Sequence, residues 1–171
     1  SASCTKIASG TFPNSLSFVP KGTVDANSEA LVGYDRGTYV RIDTKSGQKT
    51  NIGSIGDGLE SSGDIVSVKD GATFLTVTGG ASCSATDCLI EVNPTTGALV
   101  KNWGSIGRSE VYGLAFWAGK VYGFDATGEL FEVSFDGDAL KTTAIDVPSS
   151  TTNLAFWGAG STTSAPVTGP K

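Results

Sequence analysis

The sequence predicts an all-β fold, namely a β-propeller of four-stranded antiparallel blades. A strand pattern of roughly 40–50 residues recurs along the chain, a spacing typical of propeller blades. The first strand of the pattern occurs at residues 16–19, 64–68, 114–117 and 154–157. The chain also contains 23 glycines among many β-branched and aromatic residues, which indicates short strands and tight turns.

Three further strands follow the first strand in each of three copies. The second strands are predicted at 30–34, 73–77 and 121–124, the third at 38–42, 88–92 and 129–133, and the fourth at 49–52, 99–103 and 140–145. The third strands alternate most clearly, since Tyr39 and Arg41 fall on one face and Val40 and Ile42 on the other. This period of two is typical of β-strands.

The turn from the third to the fourth strand has the clearest local signature. It runs from Asp43 to Gly47 in the first copy and from Asn93 to Gly97 in the second, and more loosely from Ser134 to Asp138 in the third. An Asp or Asn side chain opens such a turn by bonding to the backbone, and glycine supplies the positive φ at its end.

The two chain ends predict a further blade. Residues 5–9 resemble a fourth strand and residues 154–157 a first strand, so each end contributes part of a blade. Propeller rings commonly close by building one blade from both ends, which leaves no free sheet edge. We expect three full blades plus this shared one, either as a four-bladed ring or as a larger ring formed by dimerisation. The domain is predicted over 1–160, followed by a Ser/Thr/Pro-rich tail over 161–171.

Charge and hydropathy exclude two classes of partner. The net charge is −5 and the 12 Lys and Arg are scattered, so the positive surface that nucleic acids require is missing. No apolar run approaches the roughly 18–20 residues of a membrane helix, so no membrane insertion is expected. Self-association or another protein is the expected partner, with a glycan as the alternative.

The three cysteines indicate an exported protein. Cys83 and Cys88 lie in one short loop and favour a disulfide over free thiols or a metal site, because the chain has no histidine and only one other cysteine, Cys4. Charged residues make up only 17 %, and Ser1 is an unusual first residue, as expected after removal of a signal peptide or for a piece of a longer chain.

One stretch carries a family resemblance. From Gly113 to Val133 the chain reads Gly-Leu-Ala-Phe-x-x-Gly-x-Val-Tyr-Gly-Phe-Asp-x-x-Gly-x-Leu-Phe-Glu-Val. This resembles blades of secreted bacterial propeller proteins, a broad group with NHL-like and quinoprotein-like members. The resemblance covers about residues 5–160 and implies a binding scaffold, secreted or at the bacterial cell surface, more often than an enzyme.

The three tryptophans are candidates for ligand binding. Trp117 and Trp157 end equivalent first strands and Trp103 ends a fourth strand. Exposed aromatic faces at such positions could stack on sugar rings beside Ser, Thr and Asn side chains. The alternative, favoured by the weight of large aromatics in protein cores, is that they pack between neighbouring blades.

Acidic residues offer only a weak site. Asp57, Glu60 and Asp64 lie close together and could supply calcium ligands, but their spacing matches no EF-hand and a solvated turn is favoured, so no metal is predicted. Without histidine, the chain cannot form a Ser-His-Asp or Cys-His arrangement. A glycosidase needs two positioned carboxylates, and no pair is selected by the sequence. No phosphate-binding loop and no cofactor are predicted.

These observations favour a secreted, non-catalytic propeller module with a structural, protein-interaction or self-assembly role. The alternative is a carbohydrate-binding, lectin-like propeller. The repeated aromatic residues and the surface rich in Ser, Thr and Asn support that alternative.

Overall fold

A computed structural model describes residues 3–148 and 154–169. This part contains twelve strands and no helix: β1 (Ser15–Val19), β2 (Ala30–Asp35), β3 (Thr38–Ile42), β4 (Lys49–Ser54), β5 (Leu59–Ser67), β6 (Thr73–Gly79), β7 (Cys83–Val92), β8 (Leu99–Ser105), β9 (Val111–Trp117), β10 (Lys120–Asp125), β11 (Leu130–Asp136) and β12 (Ala139–Ile145). The first two residues of the predicted domain, its stretch 149–153 and the last two residues of the tail lie outside the described residues. Within the described residues, no helix is long and apolar enough to span a membrane.

The strands form three four-stranded antiparallel sheets in chain order. Sheet 1 consists of β1–β4, sheet 2 of β5–β8 and sheet 3 of β9–β12, and each strand pairs with its neighbour in the chain. Connections this short favour hairpins over crossovers. The prediction of an all-β chain with three repeats of four antiparallel strands is therefore confirmed.

The register confirms that the first strands are equivalent. Leu16 lies opposite Gly33 in sheet 1, Ile65 opposite Leu75 in sheet 2, and Leu114 opposite Gly123 in sheet 3. The first strand of each sheet, called its inner strand, packs against the first strand of the neighbouring sheet. β5 thus lies between β1 and β9. Sheet 2 is therefore the middle layer of the structure.

Two apolar cores fill the spaces between the sheets. Alternate residues of sheet 2 point to opposite faces, as strand geometry requires. One face contributes Ile65, Leu75 and Ile90 to a core shared with sheet 1, which supplies Val19, Val32, Tyr34 and Tyr39. The other face contributes Val66, Phe74 and Leu89 to a core shared with sheet 3, which supplies Leu114, Phe116, Val121, Phe131 and Val133. Sheet 2 is buried on both faces because each faces another sheet.

Two of the three predicted turns form as expected. The Asp43 side chain accepts the amides of Lys45 and Ser46, and Gly47 has φ +72°. Asn93 and Gly97 repeat this geometry, with the amides of Thr95 and Thr96 and φ +69°. The third turn is tighter than predicted, because β11 continues to Asp136 and only Gly137 and Asp138 separate it from β12.

Among the described residues, the two chain ends build no fourth sheet. Residues 5–9 and 154–157 carry no strand, and they lie beside different sheets. Ala8 lies at Gly47 of sheet 1, whereas the Phe156 amide bonds to the Asp125 carbonyl of sheet 3. These isolated contacts replace the ladder of backbone hydrogen bonds that was expected between residues 5–9 and 154–157. The described residues therefore contain no blade built from both ends, and a ring, whether closed by one chain or formed by two, stays a prediction.

Residues 161–169 form a strap across one end of all three sheets. The Thr163 hydroxyl bonds to the Glu29 carboxylate just before β2, and the Thr163 carbonyl accepts the Lys69 amide between β5 and β6. The Pro166 carbonyl accepts the Ala118 amide between β9 and β10. The strap thus joins three equivalent connections, although the domain boundary at 160 stays a prediction.

Replacement of Gly97 by alanine tests the contact between sheets 1 and 2. A Cβ at this position would meet the Tyr39 side chain, and φ is positive. We expect Gly97→Ala to lower the free energy of unfolding by roughly 3 kcal/mol or more in urea denaturation, since overpacking adds to backbone strain. Gly107→Ala is the control, because φ there is +75° with nothing within 4 Å. Equal losses in the two variants would contradict the proposed contact.

Candidate functional site

An open cleft of 380 Å³ lies where sheet 2 meets the start of sheet 3. Most of the residues that line it carry a hydroxyl or carboxylate group, and one has an aromatic ring: Ser62, Thr78, Ser84, Ala85, Thr86, Asp87, Ser109, Glu110 and Tyr112. Short polar side chains of β5, β6 and β7 form one wall, and the segment entering β9 forms the other. The cleft therefore offers many hydrogen-bonding groups around one apolar surface.

A disulfide holds one wall of the cleft. Cys83 and Cys88 are bonded, as predicted, with their Cα atoms 5.6 Å apart, and both are buried. The four residues between them, 84–87, all line the cleft. The bond thus fixes the first part of β7, which contributes most to the wall. Cys4 is exposed and has no disulfide partner within the chain.

Asp87 connects the two walls. Its carboxylate Oδ2 accepts the Val111 amide at 2.9 Å, its own amide donates to the Arg108 carbonyl, and its carbonyl accepts the Ile106 amide. Burial raises the pKa of Asp87, and the Val111 amide opposes this shift. The Ser62 hydroxyl near this carboxylate also favours its charged form, although Ser62 Oγ is buried without a hydrogen bond of ordinary geometry among the described residues.

Glu110 holds a strained position at the edge of the cleft. Its φ is +57°, in the left-handed region that costs a residue with a Cβ about 1–2 kcal/mol. The Glu110 carbonyl accepts the Ala126 amide at 3.0 Å, which helps to hold this conformation. Its carboxylate accepts the Tyr112 hydroxyl at 3.3 Å. Strain of this kind is often found at binding sites.

Tyr112 and Trp157 form an aromatic pair beside the cleft. Their ring centroids are 5.6 Å apart and their planes differ by 11°, so the rings are stacked. Trp157 is 77 % exposed, and partial desolvation together with Glu110 raises the pKa of Tyr112. The amide of Phe156, bonded to the Asp125 carbonyl, anchors the segment that carries Trp157. The pair presents a flat apolar surface to solvent next to polar groups.

The other two tryptophans lie elsewhere. Trp117 is 56 % exposed but ends β9, five residues beyond Tyr112, which corresponds to about 17 Å along a strand. Trp103 packs between sheets 2 and 3, with its ring centroid 4.3 Å from that of Phe135. Its indole Nε1 is buried without a hydrogen-bond partner in the described part of the chain. Packing between sheets thus applies to Trp103, whereas Trp117 and Trp157 are exposed.

The three carboxylates considered for calcium are not brought together. The described residues contain no group of three or more Cys, Asp or Glu placed to hold a metal ion. Asp57 and Glu60 are exposed, whereas Asp64 is buried. The Asp64 carboxylate accepts the Ala159 amide at 3.1 Å, and the amides of Leu114 and Leu16 also favour its charged form. Asp64 therefore lies where the inner strands of sheets 1 and 3 meet β5.

Neither protein-family models nor curated proteins match this chain significantly. The resemblance to secreted propellers therefore stays a prediction, and the three equivalent sheets show a repeated all-β fold. Sequence reasoning missed Asp87, Glu110 and Tyr112 as site residues. Two signals were available: Asp87 stands between the two cysteines of the short loop, and Tyr112 directly precedes the most regular repeat.

Stability between pH 4 and pH 6 tests the burial of Asp64. Burial raises the pKa of Asp64 to about 6 from 3.8, so the folded state binds this proton more tightly than the unfolded state. The resulting stabilisation is present below pH 4 and is lost as the pH rises through 6. The free energy of unfolding of the unaltered chain should fall between about pH 4.5 and pH 7 because Asp64 loses its proton. In Asp64→Asn this fall should be smaller by about 2 kcal/mol. Asp57→Asn, an exposed control, should leave the pH profile unchanged.

The contribution of the disulfide is measured by replacing both cysteines. Cys83→Ser with Cys88→Ser opens a six-residue loop, which we expect to lower the free energy of unfolding by about 2 kcal/mol in urea denaturation. Amides of residues 84–87 should then exchange hydrogen faster, because the cleft wall loosens. Cys4→Ser is the matched control. Unchanged exchange in the double variant would show that the bond does not restrain the wall.

Proposed function

We propose that this chain is an extracellular binding module that recognises neutral carbohydrate at the cleft beside Tyr112 and Trp157. The observation that carries the proposal is the exposed, stacked aromatic pair next to a cleft lined by hydroxyls and carboxylates. A sugar ring has an apolar C–H face and a rim of hydroxyl groups. The aromatic surface suits the first, and the acceptors and donors of the cleft suit the second.

The carboxylates favour neutral sugars over acidic ones. Asp87 and Glu110 both line the cleft, whereas no Lys or Arg in the described part of the chain does. A sugar acid would meet two like charges there, which is unfavourable in a partly desolvated site. The carboxylate oxygens can instead accept hydrogen bonds from sugar hydroxyls, and charge-assisted bonds of this kind are stronger than neutral ones. Asp87 is already held by the Val111 amide, so its orientation is set before a ligand binds.

The size and openness of the cleft favour part of a longer chain over a small enclosed molecule. A volume of 380 Å³ is at the lower end of the range for ligand sites, roughly 300–1,000 Å³. The proposed ligand is therefore a neutral oligosaccharide segment, with one ring on Trp157 and the next over the hydroxyls.

The finer architecture and location belong to the same proposal. Three equivalent sheets that pack through their inner strands support a propeller-like arrangement. The buried disulfide supports an oxidising compartment, and hence a secreted or cell-surface protein. A structural or protein-interaction role is the second candidate, favoured by exposed apolar residues on sheet 1.

Glycan binding by two tryptophan variants tests this function. Trp157→Ala should weaken binding to neutral oligosaccharides at least about tenfold in a glycan array followed by calorimetry, which corresponds to ~1.4 kcal/mol. Stability should be unchanged, because the side chain is mostly exposed. Trp117→Ala is the matched control, since it removes an exposed tryptophan far from the cleft. Absence of binding to all neutral glycans, or equal losses in both variants, would overturn the proposal.

A further inference from the structure

The outer face of sheet 1, which points away from sheet 2, differs from the same face in the other sheets. Its inner strand exposes Leu16 by 40 % and Phe18 by 44 %. By register, these two residues correspond to Ile65 and Ser67 in sheet 2 and to Leu114 and Phe116 in sheet 3. All four of those residues are buried, and Ile65, Leu114 and Phe116 belong to the cores between sheets. The outer face of sheet 1 thus has the pattern of a packed face without a neighbouring sheet.

The N-terminal segment covers this face only in part. In sheet 2, the turn at Gly97 packs on Tyr39 of sheet 1. The equivalent turn at Gly47 meets Ala8 and Phe12 instead, so the segment occupies part of the place of a preceding sheet. An apolar groove of 330 Å³ remains, lined among others by Ile7, Phe12, Leu16, Leu31 and Ile42. Exposed apolar surfaces with this continuity are typical of interaction sites.

The outer face of sheet 3 also keeps apolar surface. The face that packs on sheet 2 carries Leu114 and Phe116, so strand alternation places Ala115 and Trp117 on the opposite, outer face. Phe156 covers Phe124 on this face, with ring centroids 5.2 Å apart. Trp117 nevertheless remains 56 % exposed.

The segments that form the two end sheets have opposite net charge. Residues 1–54 contain six Lys and Arg against four Asp and Glu, whereas residues 108–148 contain three against seven. A head-to-tail contact, with sheet 1 of one copy on sheet 3 of another, brings segments of opposite net charge near each other. A head-to-head contact, between the same sheet of two copies, would bring segments of like net charge near each other. Complementary charge of this kind selects orientation and speeds association.

We propose that the outer face of sheet 1 docks on the outer face of sheet 3 of a second copy of this chain. The contact is head-to-tail, with Phe18 and Leu16 on one side and Trp117 on the other. Two copies that each use both faces would form a closed ring of six sheets, in which no sheet face stays open. The inference goes beyond carbohydrate recognition, and its test uses neither Tyr112 nor Trp157.

Mass measurement of two single variants and their mixture tests the head-to-tail contact. In sedimentation equilibrium, the full chain should form a dimer of 17.4 kDa subunits, with a dissociation constant that rises when NaCl is increased. Phe18→Asp and Trp117→Asp should each weaken the dimer at least about tenfold, because each places a charge in the contact. An equimolar mixture should recover heterodimer, since one unaltered face of each kind remains.

Each other outcome overturns the proposal. The proposal would be contradicted outright if the unaltered chain were a 17.4 kDa monomer at about 100 μM. We take a dissociation constant of roughly 100 μM as the weakest that a specific contact would have. Dimers that lose stability with Phe18→Asp but not with Trp117→Asp would indicate a symmetric contact between two copies of sheet 1. No heterodimer in the mixture would exclude the head-to-tail arrangement. Urea denaturation of both variants verifies folding, and Phe18→Ala and Trp117→Ala replace any variant that unfolds.

Discussion

Burial of sheet 2 on both faces is the constraint on which the rest of the structure depends. Alternate side chains of β5, β6 and β7 enter two separate cores, one with sheet 1 and one with sheet 3. A sheet buried on both faces needs two neighbours of similar size, and the repeated pattern supplies them. The same repetition leaves the end sheets with one neighbour each, so their outer faces depend on the chain ends or on another molecule for cover.

The cleft is a consequence of how sheet 3 meets sheet 2. Asp87 accepts the Val111 amide where β9 begins, and the Cys83–Cys88 bond restrains the part of β7 that carries Asp87. The segment after sheet 3 then places Trp157 against Tyr112. The aromatic surface and the polar wall therefore come from different parts of the chain and are held together by the contact between the sheets. This explains how a site can form without a motif of contiguous residues.

Much of the fold could be predicted from the sequence, because strand alternation and turn chemistry are local. The turns at Asp43 and Asn93 and the bond between Cys83 and Cys88 are examples. The chain ends could not be predicted in this way. Residues 154–157 have the composition of a first strand, but whether they form one depends on a pairing partner, and the segment instead makes isolated contacts with sheet 3. The exposure of Trp117 and the partial burial of Trp103 could not be predicted either, because the exposure of a strand side chain depends on which sheet lies opposite it.

Hydrogen exchange on the full chain tests the central role of sheet 2 most directly. Amides of β6, buried on both faces, are predicted to exchange most slowly, and those of β1 and β12 at the open ends faster, since local stability follows buried contacts. Protection of β1 or β12 equal to or greater than that of β6, at a concentration where the chain is monomeric, would contradict this account.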